Sequence, residues 1–368
     1  MIHPVIVIGA GPAGLAAAAC LRGKGVDPLV LEQAPHVGAA WRGHYQRLHL
    51  HTDRRHSALP GLPIPASAGT YPSRQQVIDY LEDYAAHFRL RISFGTRLRR
   101  LTPGAAWQVE TDDQTLQAEN VVMCTGFAQR PHRPRWPGDD RFAGSLLHSA
   151  DYDCPAPFAG KRLLVVGFGN SGGEIALDLA EAGISVDLSV RGPVNVVPRD
   201  ILGIPILTLT IAMRWLPYRL ADLLNRPILR LATGDIAALG LTPAGKGPMA
   251  QVIEDGRVPL LDIGTLAALR DGRIGLRPGI HSFDATGVTF ADGGRAAYDA
   301  VILATGYRSD LRDLLPGMDD LLEAAGRPQV SGAQTRPGLY FVNYRGVATG
   351  QLRQCGIEAR AIARAIAG

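Results

Sequence analysis

Apolar, β-branched runs followed by Ala/Leu-rich helical stretches occur twice along the chain. Residues 4–8 predict a buried strand, residues 12–23 a helix behind it, and a second strand ends at Leu31. The same order returns with a strand at 163–166, a helix reaching about Ala182 and a strand at 185–190. Each half then closes on an apolar strand ending in Thr-Gly, at 121–124 before Thr125-Gly126 and at 301–304 before Thr305-Gly306.

The intervening segments are less regular. Residues 35–73 are rich in His, Pro, Gly and Arg and predict a long loop, which in a compact protein is usually functional or disordered. An amphipathic helix follows over 73–88, with Ser73 as N-cap and Gln76 three residues on. Residues 91–120 predict a small antiparallel sheet with strands at 92–94, 107–110 and 116–117, and Pro131, Pro134 and Pro137 mark a linker. Pro205, Pro217 and Pro227 break residues 201–232 into short helices; residues 241–300 are rich in strands and turns; a last helix runs from about Cys355. The expected fold class is α/β, with two Rossmann-like doubly wound dinucleotide-binding domains, the second inserted into the first. The first would use residues 1–154 and 286–368, the second 155–285, with the strand before Thr305-Gly306 returning to the first sheet.

With 46% apolar and 20% charged residues, the chain has the profile of a soluble globular protein with a sizeable core. Its charge of +4 is spread among mixed acids and bases with no isolated Lys/Arg block, which argues against a nucleic-acid partner. Four cysteines, none in a Cys-x-x-Cys pair, argue against a redox-active dithiol and a zinc site built on such pairs and suit a reducing cytoplasm. No basic region precedes the first strand as a signal peptide would require. The uncharged stretch 201–213, 13 residues long, falls short of the roughly 20 that a transmembrane helix needs. Contact of residues 201–232 with a membrane surface is also disfavoured, because Arg214, Arg219, Arg226 and Arg230 make no single basic face.

The glycines carry the first chemistry. In Gly9-x-Gly11-x-x-Gly14 the first supplies a tight turn, the second lets backbone approach a pyrophosphate, and the third allows close helix–strand packing. The helix that opens there offers N–H groups and a positive dipole end to phosphate. Glu32, at the end of the next strand, is placed to bond a ribose hydroxyl. Gly167-x-Gly169-x-x-Gly172 repeats the pattern, but the residue taken as the match to Glu32 is Arg191, 24 residues after Gly167. An arginine there accepts a 2′-phosphate and so favours NADPH over NADH. Between the two lies Phe142-x-Gly144-x-x-x-His148-x-x-x-Tyr152, which periodicity does not explain; the residues alone make His148 a structural hydrogen-bonder rather than a proton shuttle.

That string resembles the fingerprint of flavin-containing monooxygenases, and the two glycine motifs flank it in that family's order. The resemblance runs along almost the whole chain and is greatest to the YUCCA-type enzymes, which decarboxylate indole-3-pyruvate oxidatively. It is carried by Tyr45 to His51, Tyr71 to Gln76, Gly167 to Ala180, Val190 to Val194 and Thr305-Gly306-Tyr307. Ala39-Ala40-Trp41 stands where a Gly-Thr-Trp-like turn is common.

The resemblance implies FAD held by Gly9, Gly11, Pro12, Ala13, Gly14, Glu32 and Gln33. It brings Trp41, Arg42 and Leu48 to the flavin and its ribityl chain, with His49, Thr125 and Gly126 in the cofactor site. Gln351 and Leu352, just before the last helix, would lie near the flavin pyrimidine edge. NADPH would lie on Gly167, Gly169, Asn170, Ser171, Gly172 and Arg191, with Thr305 and Gly306 nearby. A flavin 4a-(hydro)peroxide would carry the reaction, with O₂ and a small-molecule substrate as partners and no protein nucleophile. N- or S-oxygenation and Baeyer-Villiger oxidation stay open as alternatives, while a flavin disulfide reductase lacks its paired cysteines. Residues 201–232 are expected to shape the substrate pocket. Arg74 and Arg345 are loose candidates for a substrate carboxylate, with surface solvation the simpler reading for both.

Overall fold

The strand Ile2–Ile8, with Val5, Ile6 and Val7 fully buried, is the centre of one sheet in the computed structural model, which describes residues 1–368. Parallel neighbours flank it, Leu29–Leu31 on one side and Thr115–Met123 on the other. Arg91–Ser93 extends the sheet beyond Leu29–Leu31, and Leu339–Phe341 extends it beyond Thr115–Met123, both in parallel. Such strands are buried on both faces and therefore read as continuous apolar runs. The helix Pro12–Arg22 packs along the last helix, Gln351–Ala367. This unit comprises Met1–Gly43, Thr52–Arg130 and Tyr307–Gly368. Its core gathers Ile6, Leu31, Met123, Leu315 and Phe341.

A second unit comprises His44–His51 and Pro131–Gly306. Its five-stranded sheet is parallel throughout, in the order Ile274–Arg277, Ser185–Ser189, Arg162–Val166, Ala300–Leu303, Ser145–His148. The helix Asn170–Glu181 buries Ile175, Ala176, Leu177 and Leu179 against it. A three-stranded antiparallel sheet, Ile280–Phe283, Gly287–Phe290 and Arg295–Ala297, completes the unit.

Several expectations change. The strand before Thr305-Gly306 does not return to the first sheet: Ala300–Leu303 lies between Arg162–Val166 and Ser145–His148. Its likeness to the strand before Thr125-Gly126 reflects an equivalent place beside its own glycine-rich strand. Leu339–Phe341 takes the place in the first sheet instead. The divisions expected at 154/155 and 285/286 accordingly fall at 130/131 and 306/307, because Ser145–His148 and Ala300–Leu303 both belong to the second sheet. Arg91–Ser93 joins the parallel sheet, while Leu98–Thr102, Trp107–Thr111 and the unbroken Thr115–Met123 form the antiparallel part. The predicted helix at 73–88 is found as Arg74–His87, with Ser73 Oγ accepting from Gln76 N–H (3.3 Å) and Gln76 Oε1 accepting from Ser73 N–H (2.9 Å). No helix is long and apolar enough to cross a membrane.

Candidate cofactor-binding sites

The first glycine turn is held from both sides. Gly9 sits at φ +105°, where an L side chain is strained, and a Cβ there would meet the Cys124 carbonyl oxygen at 2.7 Å. A Cβ on Gly14 would lie 1.8 Å from the Gly9 oxygen, so this glycine exists for packing. Gly11 differs: its φ of −81° is ordinary, and a Cβ would meet nothing within 4 Å. The space above Gly11 is thus an open cradle. The helix beyond it has no side-chain cap, Pro12 has no N–H, and Leu15 N–H is the donor to Gly11 O, which leaves Ala13 and Gly14 N–H pointing at the cradle. Glu32 is buried, and its carboxylate accepts from Ala10 N–H (2.7 Å) and Ala34 N–H (2.9 Å), tying the turn to the next strand. Each oxygen keeps a second lone pair for a ribose hydroxyl. Gln33, the next residue, is exposed.

The second turn repeats this geometry. Gly167 has φ +115°, and a Cβ there would lie 2.5 Å from the Ala304 oxygen; one on Gly172 would lie 1.9 Å from the Gly167 oxygen. Gly169, at φ −98°, again faces open space. Asn170 does not face the cradle with its amide oxygen, which accepts from Leu261 N–H at 2.7 Å. The hydrogen bonds also correct the alignment of the halves. Gly9 N–H donates to Leu31 O and Gly167 N–H to Ser189 O, so Glu32 corresponds to Val190, and Arg191 to Gln33. The second half therefore has no carboxylate at the ribose position, and the arginine stands one residue further out. Arg191 is exposed, its side chain makes no ion pair, and its Cγ lies 3.2 Å from where Gly279 would carry a Cβ. Gly279 thus makes room for the arginine stem, a role sequence spacing could not show.

The string from Phe142 to Tyr152 is scaffolding of the second unit. A Cβ on Gly144 would collide with the Phe142 ring at 2.5 Å and the Asp299 oxygen at 2.6 Å. His148 is wholly buried; its Nε2–H donates to Gly306 O (3.0 Å), and its Nδ1 accepts from Ala150 N–H (3.1 Å). This tautomer follows from the backbone partners. Burial pushes its pKa below 6.5 and neighbouring Arg133 and His132 add to that, against the Gly306 carbonyl and the Asp151 carboxylate. A proton on Nδ1 would break the Ala150 bond. The neutral ring's contribution to stability is therefore full above pH 6.5 and lost as pH falls toward the lowered folded value. His148→Asn should flatten the fall in thermal midpoint between neutral pH and pH 5; an unchanged fall would show that another group governs it.

Tyr45 and His51 were outside the expected site, yet they brace its helix. Tyr45 O–H donates to Glu174 Oε2 (2.8 Å), and His51 Nε2 lies 3.0 Å from the same oxygen. Glu174, in the helix that starts at the second cradle, is 2% exposed. Burial first, then the Glu174 carboxylate, raises the Tyr45 pKa and keeps the phenol a donor. Ser171, of the same helix, also bonds the Tyr45 side chain. Arg47 pairs with Glu181 and lies 3.7 Å from Asp178, while Tyr152 O–H donates to Asp178 at 2.7 Å.

The remaining expected residues divide. Leu48 is buried and His49 is exposed on Arg47 O, both within the second unit. Trp41 and Arg42 form a short helical turn in the first unit, where Arg42 pairs with Glu82. Thr125 Oγ1 lies 2.5 Å from the buried Tyr344 hydroxyl, next to Gly126 and the strand end that touches Gly9. Thr305 Oγ1 donates to His132 O at 2.5 Å, and Gly306 O accepts from His132 N–H at 2.9 Å, so this Thr-Gly pair closes the second unit. Gln351 and Leu352 are in the first turn of the last helix, not before it. Gln351 donates to Asn343 Oδ1 (2.9 Å) and accepts from Val347 N–H (3.0 Å), fixing a loop in which Asn343 has φ +65°. Arg74 Nη1 donates to Arg42 O at 3.5 Å, and Arg345 lies 3.3 Å from Glu323, a local role for each. Burial raises the thiol pKa of Cys20, Cys124 and Cys355, which makes these thiols poor nucleophiles.

Two open glycine cradles, each at the N-terminus of a helix behind a parallel strand, define a protein of the two-dinucleotide class. Residues 6–200 match the family described as pyridine nucleotide-disulphide oxidoreductase. The chain is 38% identical to "Indole-3-pyruvate monooxygenase YUCCA1" of Oryza sativa subsp. japonica, over 92% of this chain and 86% of that protein. It is 38% identical to "Indole-3-pyruvate monooxygenase YUCCA6" of Arabidopsis thaliana, over 83% and 76%. Among solved structures, a flavin-containing monooxygenase from Stenotrophomonas maltophilia superimposes with a TM-score of 0.77 at 27% identity, over 100% of this chain and 98% of the other. The chain belongs to the YUCCA family of flavin-dependent monooxygenases, and is an enzyme of that type.

Proposed function

We propose that the chain is an NADPH-dependent FAD monooxygenase acting on indole-3-pyruvate or a related 2-oxo acid. The observation that carries the cofactor reading is the pair of open cradles at Gly11 and Gly169, each set in a turn that admits no other side chain at its packing glycine. The substrate reading rests on the indole-3-pyruvate monooxygenases that the chain resembles along most of its length.

When bound, FAD supplies hydride acceptance from NADPH and the activation of O₂. Gly11 gives the FAD pyrophosphate its space, and Ala13 and Gly14 donate N–H to it. Glu32, already fixed by two backbone donors, orients the adenosine ribose. Gln33, Thr125 and Gly126 line this end, while Trp41, Arg42, Gln351 and Leu352, of the same unit, belong to the flavin's surroundings. Gly169 and the Asn170–Glu181 helix take the NADPH pyrophosphate, with Gly167, Ser171 and Gly172 shaping the turn and Thr305-Gly306 beside it. Arg191 meets the 2′-phosphate as a charge-assisted donor. The braced Tyr45–Glu174–His51 cluster keeps the helix in place beneath that cofactor. Cys20, Cys124 and Cys355 do not act as nucleophiles, since burial raises the pKa of each thiol.

The test is NADPH oxidation by flavin-loaded protein, following O₂, hydrogen peroxide and organic product together. Indole-3-pyruvate should accelerate NADPH use and yield indole-3-acetate in near-equal amount with little hydrogen peroxide. NADPH oxidation that indole-3-pyruvate leaves unchanged would remove this substrate and move the search to amines, sulfides and ketones.

A further inference from the structure

Of the short helices expected at residues 201–232, Ile206–Ala212 forms after Pro205, but the break expected at Pro227 does not occur. Tyr218–Thr233 is a single 16-residue helix that continues through Pro227, and it turns an apolar face to solvent. Leu220, Leu223, Leu224, Ile228 and Leu231 are 42, 63, 53, 46 and 88% exposed. At these spacings they form one stripe along the helix. Trp215, 80% exposed, and Leu216 continue it in the preceding turn. Large apolar side chains gathered in this way mark an interaction surface; scattered singly they would need no explanation.

Charge says what covers it. Continuity through Pro227 puts Arg219, Arg226 and Arg230, seven and four positions apart, along one border of the stripe, a basic edge that the expected short helices would not have made. Arg226 and Arg230 make no ion pair in the structure; Arg219 lies 3.2 Å from Glu254, and the Arg214 guanidinium stands 4.7 Å from the Trp215 ring centroid. The helix's one acid, Asp222, is turned inward and accepts from Met249 and Ala250 N–H at 2.9 Å each. The neighbouring Glu254 and Asp255 are already engaged by Arg219 and Lys246.

We propose that this face docks on an anionic lipid surface, with the helix lying in the headgroup plane, its leucines toward the acyl chains and its arginines on lipid phosphates. An exposed tryptophan beside an apolar stripe with an arginine border is the side-chain arrangement of an interfacial helix. A second copy docking through the same face would bring four more arginines, while its Asp222, Glu254 and Asp255 are already engaged. Because no helix spans a bilayer, the attachment is peripheral and reversible.

The test floats flavin-loaded full-length protein with vesicles of phosphatidylcholine alone or phosphatidylcholine mixed with phosphatidylserine, at low and high salt. The protein should float with the anionic vesicles, and high salt should release it. Arg226→Gln with Arg230→Gln should weaken partition about 25-fold, roughly fivefold per charge. Leu223→Ser with Leu231→Ser should abolish it. Flavin absorbance and thermal midpoint should stay at wild-type values in both variants, since the four positions are exposed. Failure to float with either vesicle overturns the proposal, as does equal flotation with both. A dimer in solution that Leu223→Ser with Leu231→Ser splits would assign the face to a second copy and overturn it too.

Discussion

Gly11→Val should give a folded but colourless protein, whereas Gly14→Val should give no folded protein at all. The two glycines are three residues apart in one motif, yet their surroundings are opposite. Valine fits the backbone at Gly11, where φ is −81° and ψ −176°, and its Cβ meets no protein atom within 4 Å. The only thing it can obstruct is a ligand on the cradle. At Gly14 the added carbon would overlap the Gly9 oxygen at 1.8 Å, so the helix must leave the strand. The measurement is flavin absorbance and thermal unfolding, with flavin-stripped wild type as the reference. Yellow Gly11→Val would mean that the cradle does not take FAD. A Gly11→Val apoprotein unfolding well below stripped wild type would mean that Gly11 is a packing residue after all.

Both cradles were legible in the sequence because their cause is local. Three glycines at fixed spacing between an apolar strand and an Ala-rich helix leave few conformations, and the same constraint appears in both halves. Strand membership was not legible, because it is decided by pairing across distant segments. Residues 300–303 and 339–341 are both short apolar runs, and nothing within either says which sheet it enters. The brace of Tyr45 and His51 on Glu174 was hidden for the same reason: the partners are 129 and 123 residues apart, and each alone reads as an ordinary loop or helix residue. The offset between Glu32 and Arg191 is subtler. Glu32 lies 23 residues after Gly9 and Arg191 lies 24 after Gly167, and the backbone bonds of Gly9 to Leu31 and of Gly167 to Ser189 make that one-residue difference a real offset. Pro227 misled differently: it lies on the solvent side of its helix, so the chain goes through it.

Arg191→Ala should raise the Michaelis constant for NADPH roughly 10- to 150-fold and leave that for NADH nearly unchanged. The size follows from a charge-assisted contact with a phosphate, about 1.5–3 kcal/mol, at 1.4 kcal/mol per tenfold. Selectivity follows from position. Arg191 is exposed, has no ion pair to give up, and stands beyond a strand end where Val190 offers no carboxylate to a 2′-hydroxyl. Removing it takes away the phosphate's partner without adding any partner for the hydroxyl. Val190→Glu with Arg191→Ala is the complementary change: it places an acid at the position equivalent to Glu32 and should shift preference toward NADH. Steady-state kinetics with both cofactors at fixed O₂ decide the matter. Equal effects of Arg191→Ala on NADPH and NADH would assign the arginine to a part common to both, such as the pyrophosphate, and would leave the discrimination to a residue elsewhere in the second unit.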